Sequence, residues 1–389
     1  MPSLKGKLHR ETANYFTVIH DLASEADIWK SRPAWLEFAP NNICNLRCIM
    51  CGQADGLPVQ RMERETAAEL LDQVLPHASL LTPSALSEPM LADIDLILDK
   101  CEQHDVFLNF HTNATLLDGE CFRKLAPRLH KLWISLDSPV PDVFEKIRAG
   151  ASFEKVVQNV REILPLAVEL NVPVGFVAVF MRENAVHVDQ LVDLIADLGG
   201  TEARSDLRLQ AMLDNAVSCP DSDPFGHFDT TDLAGFLDAA VERARIRGIS
   251  FLADLPEPHR RSETVSQPRV RGIAADLLVR LIEATQEMYP GFCHMAATYT
   301  KIEPDGEVYP CCRAPVELRM GNIKDQSFEE IWNGDRYQAF RRRMFAKDYP
   351  DTCRTCSVLT LNPHFRATPE APYAPGGPSS VPGTGGRSI

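Results

Sequence analysis

Trp35-Leu36-Glu37-Phe38-Ala39 is a short apolar strand pattern that runs directly into Cys44, Cys48 and Cys51, spaced C-x3-C-x2-C. A strand whose carboxyl end feeds a loop of reactive side chains is the repeating device of parallel α/β folds. Three thiolates are one too few for a closed metal site, and no fourth cysteine is near. A cubane of four irons and four sulfides held by three cysteines keeps one iron open, where a small molecule can chelate and receive an electron. Structural zinc is the competing reading, but it takes four ligands in two pairs. Here the nearest candidate for a fourth, His77, lies far downstream.

The flanking sequence repeats the strand-helix unit. Short apolar runs at 35–39, 80–86, 106–112, 131–136, 173–180 and 207–212 read as strands. Amphipathic stretches near 63–75, 91–103, 118–126, 152–169 and 184–198 read as the helices between them. Six parallel strands with covering helices predict an α/β partial (β/α)6 barrel over residues 34–253, after an N-terminal extension at 1–33. A further helix near 231–247 and a short run at 249–253 follow, then a connector and helix over 254–290. Residues 291–358 read as a second, smaller domain. Tyr299 to Val308 brackets Asp305-Gly306, a hairpin signal, and Ser327 with Glu330 forms a capping box ahead of a helix near 335–345. The Pro, Gly and Ser content of 366–389 predicts a disordered tail.

Composition bounds the function. With 389 residues, 44% hydrophobic and 24% charged, the chain is an ordinary globular enzyme by make-up. A net charge of −14 argues against a nucleic-acid or anionic-membrane surface, although Arg341-Arg342-Arg343 is a local basic patch able to bind an anion. No apolar run of about 18 residues is present, and the first residues lack a signal-peptide core, so a cytoplasmic location is expected. In a reducing compartment the 11 cysteines read as metal or redox ligands. Cys293, Cys311, Cys353 and Cys356 form a second set, leaving Cys101, Cys121, Cys219 and Cys312 unassigned.

These motifs, in this order, resemble the radical S-adenosylmethionine (radical SAM) superfamily across most of residues 33–357. The resemblance implies that Cys44, Cys48 and Cys51 bind the reducing [4Fe–4S] cluster, with Met50 beside the adenine. Ser87-Glu88-Pro89 resembles the family's Gly-Gly-Glu-Pro, with Ser87 in place of the second glycine, and implies that Glu88 holds the methionine ammonium. Thr112-Asn113-Ala114 stands where Thr-Asn-Gly is common, and Ser135-Leu136-Asp137 matches a segment near the cofactor's ribose and methionine ends. Each of these also has a plain reading: Glu88 as a helix-start carboxylate, Asn113 as a turn residue, Ser135 and Asp137 as helix caps.

The second cysteine set resembles the auxiliary-cluster domain called SPASM, or its shorter form, Twitch. Cys293, Gly306-x4-Cys311 and Cys353-x2-Cys356 follow that pattern, and with no later cysteine the resemblance implies one auxiliary cluster. A zinc ribbon is the alternative for four thiols. Cys312 is left either as a small buried hydrophobe or as an exchangeable ligand or hydrogen donor.

The resemblance implies reductive cleavage of S-adenosylmethionine and abstraction of a hydrogen atom from a substrate deep in a largely apolar barrel, with a flavodoxin or ferredoxin-type protein as electron donor. Substrate-facing candidates at strand ends are His111, Glu183, Gln210 and Asp214, with Arg182 as an anchor; for His111 a structural role is an equal reading. Cys219 and Cys312 are the candidate thiols to return a hydrogen atom; for Cys219 an inert surface or buried thiol is the alternative reading. The expected reaction is dehydrogenation or epimerisation of a small molecule such as a sugar or aminocyclitol. Modification of a peptide by a SPASM-type enzyme is the alternative, weakened because only 43 residues precede Cys44, too few for a winged-helix peptide-binding domain of about 80 residues. A non-catalytic iron–sulfur or zinc scaffold is the third reading.

Overall fold

The computed structural model describes residues 4–54, 56–84, 86–211, 223–255, 258–265, 273–354 and 356. Strands β1 (Trp35–Phe38), β2 (Leu80–Thr82), β3 (Phe107–Thr112), β4 (Leu129–Ser135), β5 (Val174–Phe180), β6 (Asp206–Ala211), β7 (Ser250–Asp254), β8 (Arg261–Glu263), β9 (Tyr299–Ile302), β10 (Glu307–Tyr309) and β11 (Gly321–Asn322) form one sheet. Its order is β11-β10-β9-β1-β2-β3-β4-β5-β6-β7-β8, so its two ends never meet and the barrel is open. From β1 to β7 each strand pairs in parallel with the next, as right-handed strand-helix-strand crossovers require.

Two features go beyond the sequence expectation. The run at 249–253 is a seventh parallel strand: β7 continues the sheet with Leu207 opposite Phe251 and Leu209 opposite Ala253. The C-terminal hairpin makes no sheet of its own. Its first strand, β9, lies parallel to β1, Trp35 opposite Tyr299 and Phe38 opposite Ile302, and so covers an edge that would otherwise present unpaired backbone groups.

Alternation along the strands sorts side chains between two faces. Leu108 and Phe110 of β3, Leu132 and Ile134 of β4, and Leu207 and Leu209 of β6 are buried in the main core. The helices supply the opposing layer; in Phe153–Glu169, Val156, Val160, Ile163 and Ala167 recur at helical spacing and are fully buried. Ser152 caps that helix by accepting from the Lys155 N–H. On the other, inner face stand Asn109, His111, Lys131, Trp133, Asp206 and Arg208, so the cavity is polar and charged rather than largely apolar. Polar groups on this face keep partners: Lys131 Nζ lies 2.5 Å from Asp206 Oδ1, and Trp133 Nε1 donates to Asn109 Oδ1 at 3.0 Å.

The lower end of the inner face is plugged. Leu278 and Ile282 of the helix Ile273–Met288 pack against Ala34, Trp35, Leu80 and Phe107, residues at the start of β1, β2 and β3. The carboxyl ends of the strands are left as the entrance. The N-terminal extension contains a helix, Leu4–Ala23, that the sequence reading missed; Val18 and Leu22 bury one face of it. No described helix is long and apolar enough to cross a membrane.

The run Arg341-Arg342-Arg343 is not one continuous solvated patch. Arg341 is 1% exposed, its guanidinium carbon 4.3 Å from the ring centres of Trp29 and Trp332 and 5.1 Å from that of Tyr337. Burial lowers its pKa to about 9. Arg342 pairs with Asp27 at 2.7 Å and Arg343 with Asp348 at 3.0 Å. The cage joins the segment before β1 to the helix Asp335–Phe345, and Trp332 Nε1 donates to the Ser31 carbonyl at 2.8 Å. Trp332→Ala removes a wall of the cage and this hydrogen bond together, at a cost of about 4 kcal/mol. The urea midpoint of the variant is expected to fall accordingly; an unchanged midpoint would show that the cage contributes nothing to stability.

Candidate active site

The cysteine loop is fixed by its neighbours before any cofactor is considered. Arg47 N donates to Ala149 O at 2.8 Å and Ile49 N to Ile147 O at 3.0 Å, which zips the loop to the end of the helix Pro141–Ile147. Cys48 is 7% exposed, whereas Cys44 and Cys51 are partly open. N–H groups face the sulfurs: Leu46 N lies 3.5 Å and Asn113 Nδ2 3.9 Å from Cys44 Sγ, and an Arg148 terminal nitrogen lies 3.8 Å from Cys48 Sγ. Burial pushes the Cys44 and Cys48 thiols above their ordinary pKa, so as thiolates they need metal charge beside them. This donor set, with amides and a guanidinium aimed at sulfur, fits an iron–sulfur cluster.

Glu88 ties the turn after β2 to the rest of the site. Its carboxylate accepts from Thr112 Oγ1 and from Asn113 N, both at 2.8 Å, and from Met90 N at 3.2 Å. Its own N–H donates to Ile43 O at 2.9 Å, one residue before Cys44. Burial raises its pKa, and the Asn113 and Thr112 donors partly oppose that. The helix-start role is therefore present, and three donors of the chain already occupy the carboxylate. Ser87 accepts at its carbonyl from Ser84 Oγ at 3.0 Å. Leu86, where the four-residue motif would have its first glycine, has φ 51°, a left-handed conformation that glycine adopts without strain. Gln53, which sequence reasoning passed over, is 4% exposed and donates through Nε2 to Asn42 O at 2.5 Å and Leu86 O at 2.7 Å.

A second tie runs through Asp137. It accepts from Val179 N at 2.8 Å and from Arg148 Nε at 2.5 Å, and Arg148 in turn reaches Cys48. Burial alone would lower the Arg148 pKa; the Asp137 carboxylate outweighs it and holds the guanidinium above its ordinary value. Asn184 Nδ2 completes the shell by donating to Asp137 O at 2.8 Å. Asn113 closes an Asx turn by accepting from Thr115 N at 3.0 Å while donating to Asn45 Oδ1 at 2.9 Å, so its turn role and its place beside Cys44 coexist. Ser135 ends β4 opposite Val177, and Met50 packs with Ile49 against Ile147 and Met181.

Below these groups, His111 stacks on Trp133, ring centres 5.9 Å apart at 16°, and its Nε2 lies 3.2 Å from Asn109 Nδ2. Burial first, then the Arg208 and Lys131 charges, lowers its pKa to about 4, so the imidazole is neutral at physiological pH. Across the barrel, Tyr299 donates its hydroxyl to Glu37 Oε2 at 2.5 Å, joining β9 to β1. Burial raises Glu37 to about 7, against the lowering effect of that hydrogen bond and of Lys301. The largely buried Glu183 side chain lies 3.3 Å from Lys146 and 3.6 Å from Arg182, so both candidates are engaged in ion pairs. Gln210 is partly exposed on β6. Asp214 and Cys219 lie outside the described residues.

The second cysteine set converges. Cys293, Cys311, Cys353 and Cys356 line one cavity with Cys312 and Phe340. Burial raises Cys293 well above the ordinary thiol range, Cys311 to about 12 and Cys353 to about 11, again a set that requires metal charge to ionise. Cys312 is exposed, which sets aside its reading as a small buried hydrophobe. Four cysteine thiols around one cavity are a donor set that soft metal centres take, iron–sulfur or zinc alike.

A model of the Radical SAM superfamily matches residues 39–195, and a model of an iron–sulfur cluster-binding domain, SPASM, matches residues 293–357. The chain is a radical SAM protein. Its matched radical SAM domain carries both ties described above, and its SPASM domain carries the second cysteine set. The cofactors are accordingly a [4Fe–4S] cluster, S-adenosylmethionine and auxiliary iron–sulfur.

An AdoMet-dependent heme synthase of Methanosarcina barkeri is 22% identical over 332 residues, 83% of this radical SAM chain and 88% of that one. A GTP 3′,8-cyclase of Peptoclostridium acidaminophilum is 28% identical over 144 residues, 35% of this chain, and the match spans only 44% of the cyclase. Among solved structures, Streptococcus suis SuiB bound to S-adenosylmethionine superposes with a TM-score of 0.59 at 17% identity, covering 87% of this chain and 74% of that one, which shows a shared fold.

Two outcomes follow from the geometry. Arg148→Met leaves Asp137 buried without its cation and is expected to cost about 3–5 kcal/mol in denaturant unfolding; a loss below about 1 kcal/mol, the range of an exposed pair, would show the pair to be solvated. Because the folded pKa of Glu37 is raised, the native state binds its proton more tightly than the unfolded state. Its carboxylate therefore destabilises the fold progressively as pH rises from the ordinary value near 4.5 through about 7. Glu37→Gln should melt about 1–3 °C above the parent at pH 8 and level with it at pH 4.5; a constant difference at both would refute the shift.

Proposed function

We propose that this chain is a radical SAM enzyme that removes a hydrogen atom from a peptide residue held on the inner face of the barrel. The observation that carries the reading is the pairing of β1 with β9. β1 delivers the Cys44–Cys51 loop, and β9 leads through its hairpin to Cys311 and Cys312, so the first cysteine set and one member of the second follow from neighbouring strands. When bound, the cofactors supply a primary radical at the first site and one-electron exchange at the second.

The chain's own groups do the placing. Cys44, Cys48 and Cys51 would hold the cleaving cluster, while Met50, Ser87, Glu88, Asn113, Ser135 and Asp137 surround the cofactor. For Glu88 the ammonium contact would fall to backbone carbonyls of its turn, since its carboxylate is occupied. Cys293, Cys311, Cys353 and Cys356 would hold a single auxiliary cluster. The plugged base excludes water from the amino end of the strands. Cys312, exposed and within electrostatic range of Glu37 and Lys301, is the thiol placed to face a substrate. His111, neutral at physiological pH and so not a cationic acid, serves as a hydrogen-bonding wall through one donor and one acceptor nitrogen. A flavodoxin or ferredoxin-type protein would supply electrons.

The structure of SuiB bound to precursor peptide SuiA, alike over 88% of this chain with a TM-score of 0.59, supports a peptide over the sugar or aminocyclitol first expected. A metabolite is the second reading, supported by the long match to a heme synthase, whose name gives a small-molecule product. Anaerobically reconstituted protein should transfer deuterium into 5′-deoxyadenosine from a pool of perdeuterated peptides and not from perdeuterated sugars and aminocyclitols. The reverse pattern replaces the peptide by a metabolite. Cys48→Ala should reduce 5′-deoxyadenosine to background; continued formation would refute the assignment of the first cluster.

A further inference from the structure

Trp133 of β4, Gly175 of β5 and Asp206 of β6 lie in one row across the inner face. A Cβ at position 175 would sit 2.5 Å from Trp133 Cζ3 and 2.9 Å from Asp206 Oδ1, so glycine is what lets the indole lie flat across β5. Two cations converge on that indole: Lys131 Nζ at 3.9 Å and the Arg208 guanidinium carbon at 5.1 Å from the ring centre.

The charges do not cancel. Asp206 neutralises Lys131 at 2.5 Å. Among the described residues the Arg208 guanidinium makes no hydrogen bond or ion pair, and its buried Nε has no partner. His111, stacked on Trp133, is neutral. One cation is thus left on a flat aromatic floor in a chain of net charge −14. A guanidinium held over an aromatic ring, its planar fork free, matches a carboxylate bidentately. Trp133 and His111 each stand two residues before Ser135 and Asn113, which sets this floor about 7 Å below the layer of the cofactor motifs. That separation leaves one layer in which a substrate's reacting carbon can sit.

We propose that Arg208, backed by Trp133 and Lys131, is a carboxylate-binding site that anchors the substrate on the barrel floor, and that the substrate is a peptide held by an acidic side chain. This rests on the barrel being the substrate chamber of the enzyme proposed above. It is tested without turnover, so that its failure and the failure of that reading are separate events. Calorimetry on the reconstituted full chain uses three probes: N-acetylglutamate α-amide, with a side-chain carboxylate only; N-acetylglutamine, with an α-carboxylate only; and N-acetylglutamine amide, with neither.

The first probe is expected to bind about 10- to 100-fold more tightly than the neutral one, and Arg208→Lys, which keeps the charge but loses the fork, to remove most of that preference. Stronger binding of the second probe would overturn the side-chain assignment in favour of a terminal carboxylate. Phenylglyoxal labelling of the parent protein, read by peptide mass spectrometry, needs no variant to fold: the first probe should protect Arg208 and the neutral probe should not. Equal affinity for all three probes, no binding of either carboxylate, or equal labelling of Arg208 with and without the first probe overturns the site. If carboxylate binding is found but the parent makes no 5′-deoxyadenosine, the anchor stands and the radical reading falls.

Discussion

The buried carboxylate of Glu88 is the constraint on which the entrance of the barrel depends. Three loops leave three different strands there, and nothing in strand pairing alone fixes them relative to one another. Glu88 does so with its main chain on Ile43 and its side chain on Thr112 and Asn113. Its desolvation is costly, and the hydrogen bonds it accepts in a low-dielectric setting are correspondingly strong. Asp137 repeats the device between β4, β5 and Arg148, and because Arg148 also touches Cys48, the two ties meet at the cysteine loop. The Cys44–Cys51 loop is therefore held as a rigid frame by carboxylates that belong to its neighbours.

The parts of this arrangement that follow local rules were legible in the sequence. The C-x3-C-x2-C loop, the order of the strand-end motifs, the capping box at Ser327 and the convergence of the second cysteine set depend on spacing and on residue chemistry, both of which survive in one dimension. The Arg341 patch was misread for the opposite reason. A run of three arginines looks solvated, and only the aromatic residues brought from 29, 332 and 337 turn one of them inward. Likewise, Trp133 reads as an ordinary strand aromatic until Gly175 is placed beside it, and Arg208 as an ordinary inner-face charge until Asp206 is seen to be taken by Lys131.

The polar inner face has the same origin. Alternating strands announce that one face is apolar and the other less so, but period-two patterning does not say whether the second face meets solvent or encloses a chamber. Here it encloses one, closed below by a helix that arrives from residues 273–288. The chamber keeps hydrophobic packing for its base and charge for its middle, a division of labour that a sequence scan averages away.

The pairing of β1 with β9 also bears on how the chain is made. A ribosome delivers residues 35–38 early and residues 299–302 only after more than half of the chain has followed. Until then one long edge of the nascent sheet has no neighbour, and loop-closure entropy delays its capture. Exposed edges of this kind recruit foreign strands. A stretch made late is thus what seals a strand made early, and the 44–51 loop emerges on a scaffold whose flank is still open.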